Sequence, residues 1–270
     1  MGVLRLPSPA AVHSGARSGN SASFMPRREN APFYMSRLHR REHIHAAVPA
    51  AAYDIDCRRC PRLAHFLDQV LAANPGYFCR PVPPFGDMNA RLVIVGLAPG
   101  MHGANASGRP FTGDYAGIML YSTLHKFGYA SQAQSLGTDD GLALIDARIT
   151  NAVKCLPPAN KPLPGEIRNC NAYLAAELCA LPGGAAILAL GRIAHDATLM
   201  ALGLAPRAYP FAHGAEHALS PGRRGAARLF DCYHCSRYNT NTRRLSAAMF
   251  EQVFASIARF HADAVAAEQS

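Results

Sequence analysis

The sequence predicts an α/β fold, a three-layer αβα sandwich built around a mostly parallel sheet of four strands. Short runs of apolar and β-branched residues, typical of strands buried on both faces, alternate along the chain with amphipathic helical segments. Strands that are separated by helices are joined by crossovers, so the sheet should be mostly parallel and covered on both faces. With 270 residues, of which 49% are hydrophobic, the chain can bury one full core.

The first half of the chain contains two predicted helices and one predicted strand. Apolar residues recur at helical spacing over 63–71, and Asn74-Pro75-Gly76 ends this first helix. The run Arg-Leu-Val-Ile-Val at 91–95 predicts a buried strand, which a glycine-rich loop follows. The next helix should begin near Tyr115 and cover roughly 117–127.

The second half of the chain alternates in the same way. It contains three predicted strands, over 147–153, 185–190 and 228–233, and three predicted helices, around 170–178, over 193–202 and over 245–257. A proline-rich loop at 155–164 separates the first of these strands from the helix that follows it.

The N-terminal segment differs in composition from the rest of the chain. Residues 1–52 are rich in Ser, Pro, Arg and Ala and lack any sustained period, which predicts a disordered basic tail ahead of one catalytic domain at 53–270. The net charge is +9, and seven arginines against two glutamates place +5 of it within residues 1–53. The +4 on the remainder modestly favours a polyanionic partner.

Two further features predict a cytoplasmic protein that does not enter a membrane. The chain has no run of about 18 or more uncharged apolar residues, the length that a transmembrane helix needs. Its N-terminus also lacks the continuous apolar segment of a secretory signal.

The glycine-rich loop at 96–114 predicts a ligand site. It lies between a predicted strand and a predicted helix, an arrangement that presents backbone N–H groups at the carboxyl edge of a parallel sheet. It lacks the Gly-Lys-Ser/Thr ending of a phosphate loop and the glycine spacing of a dinucleotide fold. Phe111 and Asp114 follow the glycines, and this combination suits a small planar group, such as a flipped base, better than a triphosphate.

Eight cysteines in a chain predicted to be intracellular are expected to be metal ligands or core thiols. Two C-x-x-C pairs, at 57–60 and 232–235, could together form a zinc ribbon, although their separation is much longer than usual for such a site. Four thiolates without a histidine also suit an iron–sulfur cluster, and the residues alone leave both metals open. The alternative ligand set is Cys57, Cys60, Cys155 and Cys170.

The other four cysteines are predicted to be ordinary core or loop thiols, since free cysteine behaves as a small buried hydrophobe. They are Cys79, Cys179, Cys232 and Cys235.

Four separated motifs between residues 57 and 254 form a recognisable pattern. They are Cys57-x-x-Cys60-x-Arg-Leu63, Gly96-Leu-Ala-Pro-Gly-x-His-Gly-Ala-Asn105 with Gly108-Arg-Pro-Phe-Thr-Gly-Asp114, Thr150-Asn-Ala-Val-Lys-Cys155-x-Pro-Pro158 continuing to Cys170, and His234-x-Ser-Arg-Tyr-Asn-Thr240. With all four motifs in family order, the chain resembles the family 5 uracil-DNA glycosylases, the broad-specificity iron–sulfur branch of that superfamily.

The resemblance implies a parallel four-stranded sheet between helices and an enzyme of base excision repair. Such an enzyme hydrolyses the N-glycosidic bond of uracil in DNA, and of other damaged bases such as hypoxanthine, xanthine or ethenocytosine. The resemblance also implies a structural [4Fe-4S] cluster on the four cysteines of the alternative set, and we expect a monomer whose partner is DNA. Two positions depart from the family pattern: Cys235 replaces a proline, and Ala106-Ser107 replaces an arginine-containing pair.

Three residues are expected to carry the chemistry. His234 should donate a hydrogen bond to uracil O2, and Asn151 has the amide donors and acceptor needed to read a pyrimidine edge. Asp114 should be a general base or stabilise the sugar cation, with a helix N-cap as its structural alternative. The expected substrate-binding residues are Gly96, Leu97, Ala98, Pro99, Gly100, His102, Asn105, Phe111, Ser236 and Arg237.

Two other functions are compatible with parts of the pattern. A metal-dependent nucleotide or phosphate-ester hydrolase could use the glycine loop with Asp114, but its further ligands Asp87, Asp140 and Asp146 form no convincing cluster in the sequence. A non-catalytic nucleic-acid binding module that contains the cluster would bind DNA without cleaving the base.

Overall fold

A mixed six-stranded sheet runs through the centre of the computed structural model, which describes residues 53–219 and 226–268. The predicted basic tail at 1–52 lies outside the described residues. In chain order the strands are β1 (Phe85–Gly86), β2 (Leu92–Gly96), β3 (Ala147–Asn151), β4 (Ala185–Leu190), β5 (Glu216–Ala218) and β6 (Ala226–Cys232). They lie side by side in the order β1-β3-β2-β4-β6-β5.

The four predicted strands form the parallel centre of this sheet, and the α/β class is confirmed. Neighbouring strands from β3 to β6 are parallel, whereas the edge strands β1 and β5 pair antiparallel with β3 and β6. The sheet therefore has six strands, and the predicted number of four is wrong. The two edge strands have only two and three residues and no apolar run that could have indicated them.

Helices cover both faces of the sheet, as the alternation of the sequence predicts. The described residues form seven α-helices: α1 (Pro61–Ala73), α2 (Ala104–Ser107), α3 (Tyr115–Lys126), α4 (Pro164–Cys179), α5 (Arg192–Leu202), α6 (Arg237–Asn241) and α7 (Ala247–Glu268). The short helices α2 and α6 interrupt segments that the sequence predicts as loops. None of the described helices has the length and apolar content that crossing a bilayer requires.

The alternating side chains of β2 show how the three layers form. Leu92 and Ile94 pack into one apolar cluster with residues of α3 and α7, while Val93 and Val95 pack into a second cluster with residues of α4 and α5. Successive side chains of a strand point to opposite faces, so a strand that is apolar throughout must be covered twice. A third cluster joins α1 to Cys155 and Cys170.

A buried ion pair fastens the glycine-rich loop to the segment that follows α3. The Arg109 guanidinium lies 2.6 Å from Asp140 Oδ2, and these side chains are 6% and 11% exposed. Arg109 also donates to Ser135 Oγ at 2.7 Å. Burial alone would raise the pKa of Asp140, but hydrogen bonds from Arg109 and from three backbone N–H groups hold it well below the usual range of a carboxyl. The charged form of Asp140 thus stabilises the fold.

We expect Asp140→Asn to destabilise the protein, because it leaves the Arg109 cation buried without a counter-charge. The cost should be roughly 3 kcal/mol, or about 5–10 °C in melting temperature, at neutral pH. A lowered folded-state pKa adds stability above the unfolded pKa, so the difference from the parent protein should shrink as the pH falls below about 4. Thermal melting at several pH values measures this. The exposed neighbour Asp139 supplies the control Asp139→Asn, and equal melting of the two variants would contradict the role of the pair.

Candidate active site

A cleft of about 530 Å³ lies at the carboxyl end of the central parallel strands. This volume is typical of a small-molecule site, and the carboxyl edge of the strands is where open α/β sheets bind ligands. Several segments that follow the strands form its walls: Leu97, Ala98, Gly100 and Ala104 after β2, Phe111 and Asp114–Ala116 before and within α3, Asn151 at the end of β3, Asn160, Leu190–Ala194 at the start of α5, and His234, Ser236 and Arg237 after β6.

Asp114 presents a half-buried carboxylate to the cleft. It occupies the residue before α3, yet its side chain makes no capping hydrogen bond to that helix. Its Oδ2 instead accepts a hydrogen bond from the backbone N–H of Ala104 at 3.2 Å. A Cβ on Gly103 would lie only 1.9 Å from the carboxylate carbon, so the carboxylate can occupy this place only because residue 103 is glycine.

The surroundings of Asp114 make its carboxylate more basic. Burial raises its pKa above the ordinary value, and the Ala104 N–H and the charge of His102 offset this only in part. Among the described residues, no salt bridge involves Asp114. A carboxylate that is desolvated and unpaired is suited to accept a proton.

His234 follows β6 and faces Phe111 across the cleft. The two rings are stacked, with centroids 6.0 Å apart and an interplanar angle of 26°. Burial lowers the pKa of His234 to about 4, so the imidazole is neutral at neutral pH. A neutral imidazole can still donate one N–H hydrogen bond to an acceptor in the cleft.

Asn151 contributes an acceptor without a partner. Its side chain is 3% exposed, and its Oδ1 has no hydrogen-bond partner in the structure. Asn151 pairs in register with Gly96 on the neighbouring strand, where an added Cβ would lie 2.3 Å from this oxygen and 2.8 Å from the Phe111 ring. Because buried polar atoms are normally hydrogen-bonded, this oxygen is a candidate acceptor for a hydrogen bond from a bound group.

The structure brings most of the predicted site residues to the cleft. Gly96 lies directly behind Asn151 and Phe111, and Pro99 is buried within the loop without lining the cleft. His102 points away from the cleft wall: it is exposed, and its Nδ1 is hydrogen-bonded to the Tyr77 hydroxyl at 2.9 Å. Asn105 is fully buried and donates to Cys79 Sγ at 3.4 Å. It therefore stabilises the glycine-rich loop without lining the cleft.

The start of α5 forms one wall of the cleft, and the sequence analysis did not predict it. Gly191–Ala194 follow the predicted strand 185–190, and the rule that ligands bind at the carboxyl ends of parallel strands could have indicated them. The N-terminus of an 11-residue helix here directs backbone N–H groups and the positive end of its dipole toward the cleft. This favours negative charge on a bound group.

The acidic residues that a metal-dependent hydrolase would need are engaged elsewhere. Asp140 pairs with Arg109, and Asp146 pairs with Arg91 at 2.7 Å. Neither aspartate lines the cleft.

Four cysteines line a separate small cavity beside α1. Cys57 and Cys60 precede this helix, Cys155 follows β3, and Cys170 lies on α4. The backbone N–H of Lys154 donates to Cys170 Sγ at 3.3 Å, and Asn169 Nδ2 donates to Cys60 Sγ at 3.6 Å. The second pair, Cys232 and Cys235, is buried and does not line this cavity, so the structure does not bring the two C-x-x-C pairs together.

The remaining cysteines have the character of ordinary thiols. Cys79, Cys232 and Cys235 are buried, and Cys179 is exposed. Cys235, which replaces the proline of the family pattern, donates its thiol hydrogen to the Ala116 carbonyl at 3.4 Å. It thereby ties the His234 loop to α3.

Comparison with known proteins assigns the family. Residues 83–258 match the family model described as the uracil DNA glycosylase superfamily. The chain is 46% identical over 202 residues to the type-5 uracil-DNA glycosylase of Thermus thermophilus, covering 73% of this chain and 90% of that protein. It is 40% identical over 203 residues to the type-5 uracil-DNA glycosylase of Pyrobaculum aerophilum, covering 74% and 86%.

A more distant relative matches a shorter part of the chain. The type-4 uracil-DNA glycosylase of Archaeoglobus fulgidus is 37% identical over 114 residues, covering 42% of this chain and 49% of that protein. The longer matches and the family model agree with the four motifs, and the chain belongs to the uracil-DNA glycosylase superfamily, in its type-5 branch.

Proposed function

We propose that the protein excises uracil from DNA by hydrolysing the bond between the base and its deoxyribose, the first step of base excision repair. The observation that carries this proposal is the cleft, where a neutral histidine, a half-buried carboxylate and an unpartnered amide oxygen surround one aromatic ring. The type-5 relatives, at 40% and 46% identity over most of the chain, support the same activity.

Recognition requires the nucleotide to leave the base stack and enter the cleft, at a cost of a few kcal/mol. Phe111 stacks on the extruded base, and Asn151 Oδ1 accepts a hydrogen bond from uracil N3–H. Cytosine has an acceptor at N3, so it would face Asn151 Oδ1 with like partial charge. The unpartnered oxygen thus favours uracil over the normal base.

Cleavage places negative charge on the departing base and positive charge on the sugar. His234 donates its N–H to uracil O2, and the start of α5 adds a favourable field, so both stabilise the anion as it forms. Asp114 stabilises the sugar cation and accepts the proton of the water that attacks C1′. Because His234 is neutral, it forms no ion pair before the reaction. Its hydrogen bond to O2 then becomes stronger as negative charge develops on the departing base.

Cys57, Cys60, Cys155 and Cys170 are the residues that would hold a [4Fe-4S] cluster. A single zinc ion bound at about 2.3 Å needs its sulfur ligands within about 4 Å of one another. Among the described residues, the group whose ligand atoms lie within 4.8 Å consists of two histidines and an aspartate and contains no cysteine. The wider spacing of the thiols fits the larger iron–sulfur cage.

Burial and the charge of neighbouring thiolates raise the pKa values of Cys155 and Cys170. Four ionised thiols in this cavity therefore require bound cations. A cluster there supplies a rigid cross-link between the start of α1, the loop after β3 and α4.

From the loop after β2, the described residues that line the cleft are all small or apolar (Leu97, Ala98, Gly100 and Ala104), so the site should also accept other deaminated or damaged bases. Arg237 and the 71% exposed Tyr238 on α6 provide contacts for the DNA beside the extruded nucleotide. We propose that the enzyme acts as a monomer in the cytoplasm.

The direct test is incubation with a duplex that carries one deoxyuridine, followed by alkali cleavage of the abasic site. We expect strand cleavage at the uracil.

Asp114→Asn should bind the same duplex but excise uracil at least about a hundredfold more slowly than the parent protein. Since burial raises the pKa of Asp114, its charge costs stability at neutral pH, and the variant should melt no lower than the parent. Excision by the variant at the parent rate would contradict a chemical role for Asp114.

His234 should matter more for uracil than for a purine. His234→Ala removes the donor at O2, so single-turnover excision of uracil should fall by about a hundredfold or more. Hypoxanthine presents different atoms there and can leave with the help of protonation, so its loss should be smaller. Equal losses on the two lesions would show that His234 acts on the sugar, the water or the fold.

A [4Fe-4S] cluster on these cysteines should make the protein brown, with broad absorbance at about 400 nm and about four irons per chain. Cys170→Ser should lose iron and colour together, since one of the four thiolates is removed. Cys179→Ser alters an exposed thiol and is the matched control, which should keep both. Colourless protein with stoichiometric zinc and no iron would overturn the assignment.

A further inference from the structure

A second group of metal-ligating side chains lies where α5, β5 and β6 meet. His195 on α5, His217 on β5 and Asp231 on β6 each offer one ligand atom, and these atoms lie within 4.8 Å of one another. The His195 and Asp231 side chains are 1% and 0% exposed, whereas that of His217 is 12% exposed. None of these three residues lines the cleft or the cysteine cavity.

The hydrogen bonds of His195 place a positive charge beside Asp231, either that of the doubly protonated imidazole or that of a metal ion. Its Nε2 lies 2.9 Å from the Tyr209 carbonyl oxygen, and its Nδ1 lies 2.7 Å from Asp231 Oδ1. Both partners accept hydrogen bonds, so Nε2 carries a hydrogen and, at 2.7 Å, a hydrogen also lies between Nδ1 and Oδ1. A zinc ion could replace that second hydrogen if the two atoms separated to about 3.3 Å. A histidine that ligates a metal characteristically donates its other N–H to a backbone carbonyl, as His195 does.

His217 completes the geometry of a metal site. Its Nε2 lies 3.1 Å from Asp231 Oδ2, and its ring centroid is 5.7 Å from that of His195. Two imidazoles on one tetrahedral zinc, with Zn–N bonds of about 2.0–2.1 Å, have centroids roughly 5 Å apart. The ligand atoms lie within 4.8 Å of one another, whereas those of one tetrahedral zinc lie about 3.3 Å apart, so the three side chains would have to close on the ion.

The charge of the group also requires a cation. Asp231 is fully buried, and within the described parts of the chain its salt-bridge partners are the two histidines, without any lysine or arginine. A buried carboxylate needs a positive partner. Two imidazole nitrogens and one carboxylate oxygen are a donor set that binds zinc and that also binds non-haem iron(II); zinc takes the tetrahedral arrangement of three such ligands and one water.

We propose that His195, His217 and Asp231 form a zinc site, distinct from the cysteine set and from the cleft. Water occupies the fourth coordination position at the partly exposed edge of His217. The bound ion ties α5 and β5 to β6 three residues before His234, so its role is to fix the strand end that carries this histidine.

The test uses the intact, cluster-containing protein after treatment with a chelator and desalting. Zinc chloride is titrated in, and zinc and iron per chain are measured by elemental mass spectrometry. We expect one zinc per chain with the iron content unchanged, together with a higher melting temperature. No bound zinc would overturn the proposal and leave a proton between His195 and Asp231. Zinc that enters only as iron leaves would belong to the cysteines and would overturn it equally.

Two variants locate the ion. His217→Gln removes the most exposed of the three ligands and should weaken zinc binding at least tenfold, whereas His213→Gln, on the same segment but outside the group, should bind zinc as the parent does. Equal binding by both variants would contradict the site. A cobalt difference spectrum of the parent protein is independent of either variant: visible d–d bands without thiolate-to-cobalt charge transfer are expected, and strong charge-transfer bands would assign the metal to cysteines instead.

Discussion

The close contact between the Asp114 carboxylate and a glycine backbone is the constraint on which the cleft depends. Added Cβ atoms on Gly100 and Gly103 would lie 2.5 Å and 1.9 Å from atoms of this carboxylate. The glycines therefore allow a charged group to be enclosed by the loop, and the enclosure raises its pKa. The Arg109–Asp140 pair fixes the same loop, so the half-buried carboxylate has a defined position.

The parallel sheet places the other chemical groups opposite this carboxylate. Gly96, Asn151 and His234 come at or just after the carboxyl ends of three parallel strands, which meet at one edge. At that edge burial lowers the pKa of His234, while Asp114 has no salt-bridge partner among the described residues. One environment thus lowers the pKa of the donor and raises the pKa of the acceptor, which suits a reaction that separates charge between a base and a sugar.

The chain that leaves β3 connects the cleft to the cysteine cavity within four residues. Asn151 faces the cleft and Cys155 the cavity, and the buried Lys154 lies between them. Lys154 Nζ donates to Glu177 at 2.5 Å and to Thr150, while its backbone N–H donates to Cys170. A cluster on these cysteines would therefore fix the strand end that carries Asn151.

The sequence is sufficient to predict the central strands and most of the cleft, because both depend on local patterns. Apolar runs predict the four parallel strands, and the motifs predict that Asp114, Asn151, Phe111 and His234 share one edge. The edge strands β1 and β5 leave no such signal, since they are too short to show a period.

The positions of His102 and Asn105 could not be predicted from their motif. Their side-chain directions depend on the turn of α2. His102 is hydrogen-bonded to the Tyr77 hydroxyl, and Asn105 donates to Cys79 Sγ. The group around Asp231 likewise forms only when distant segments pack together, whereas the start of α5 directly follows a predicted strand and could have been indicated by it.

Gly103→Ala tests the central constraint most directly, because its methyl group would occupy the place of the Asp114 carboxylate. Gly137→Ala is the control, since an added Cβ there meets nothing within 4 Å. Single-turnover excision of uracil should fall by about a hundredfold or more in Gly103→Ala, with iron content retained, and stay at the parent rate in the control. Parent-like excision by Gly103→Ala would contradict the account, because the position of the carboxylate would then not limit the reaction.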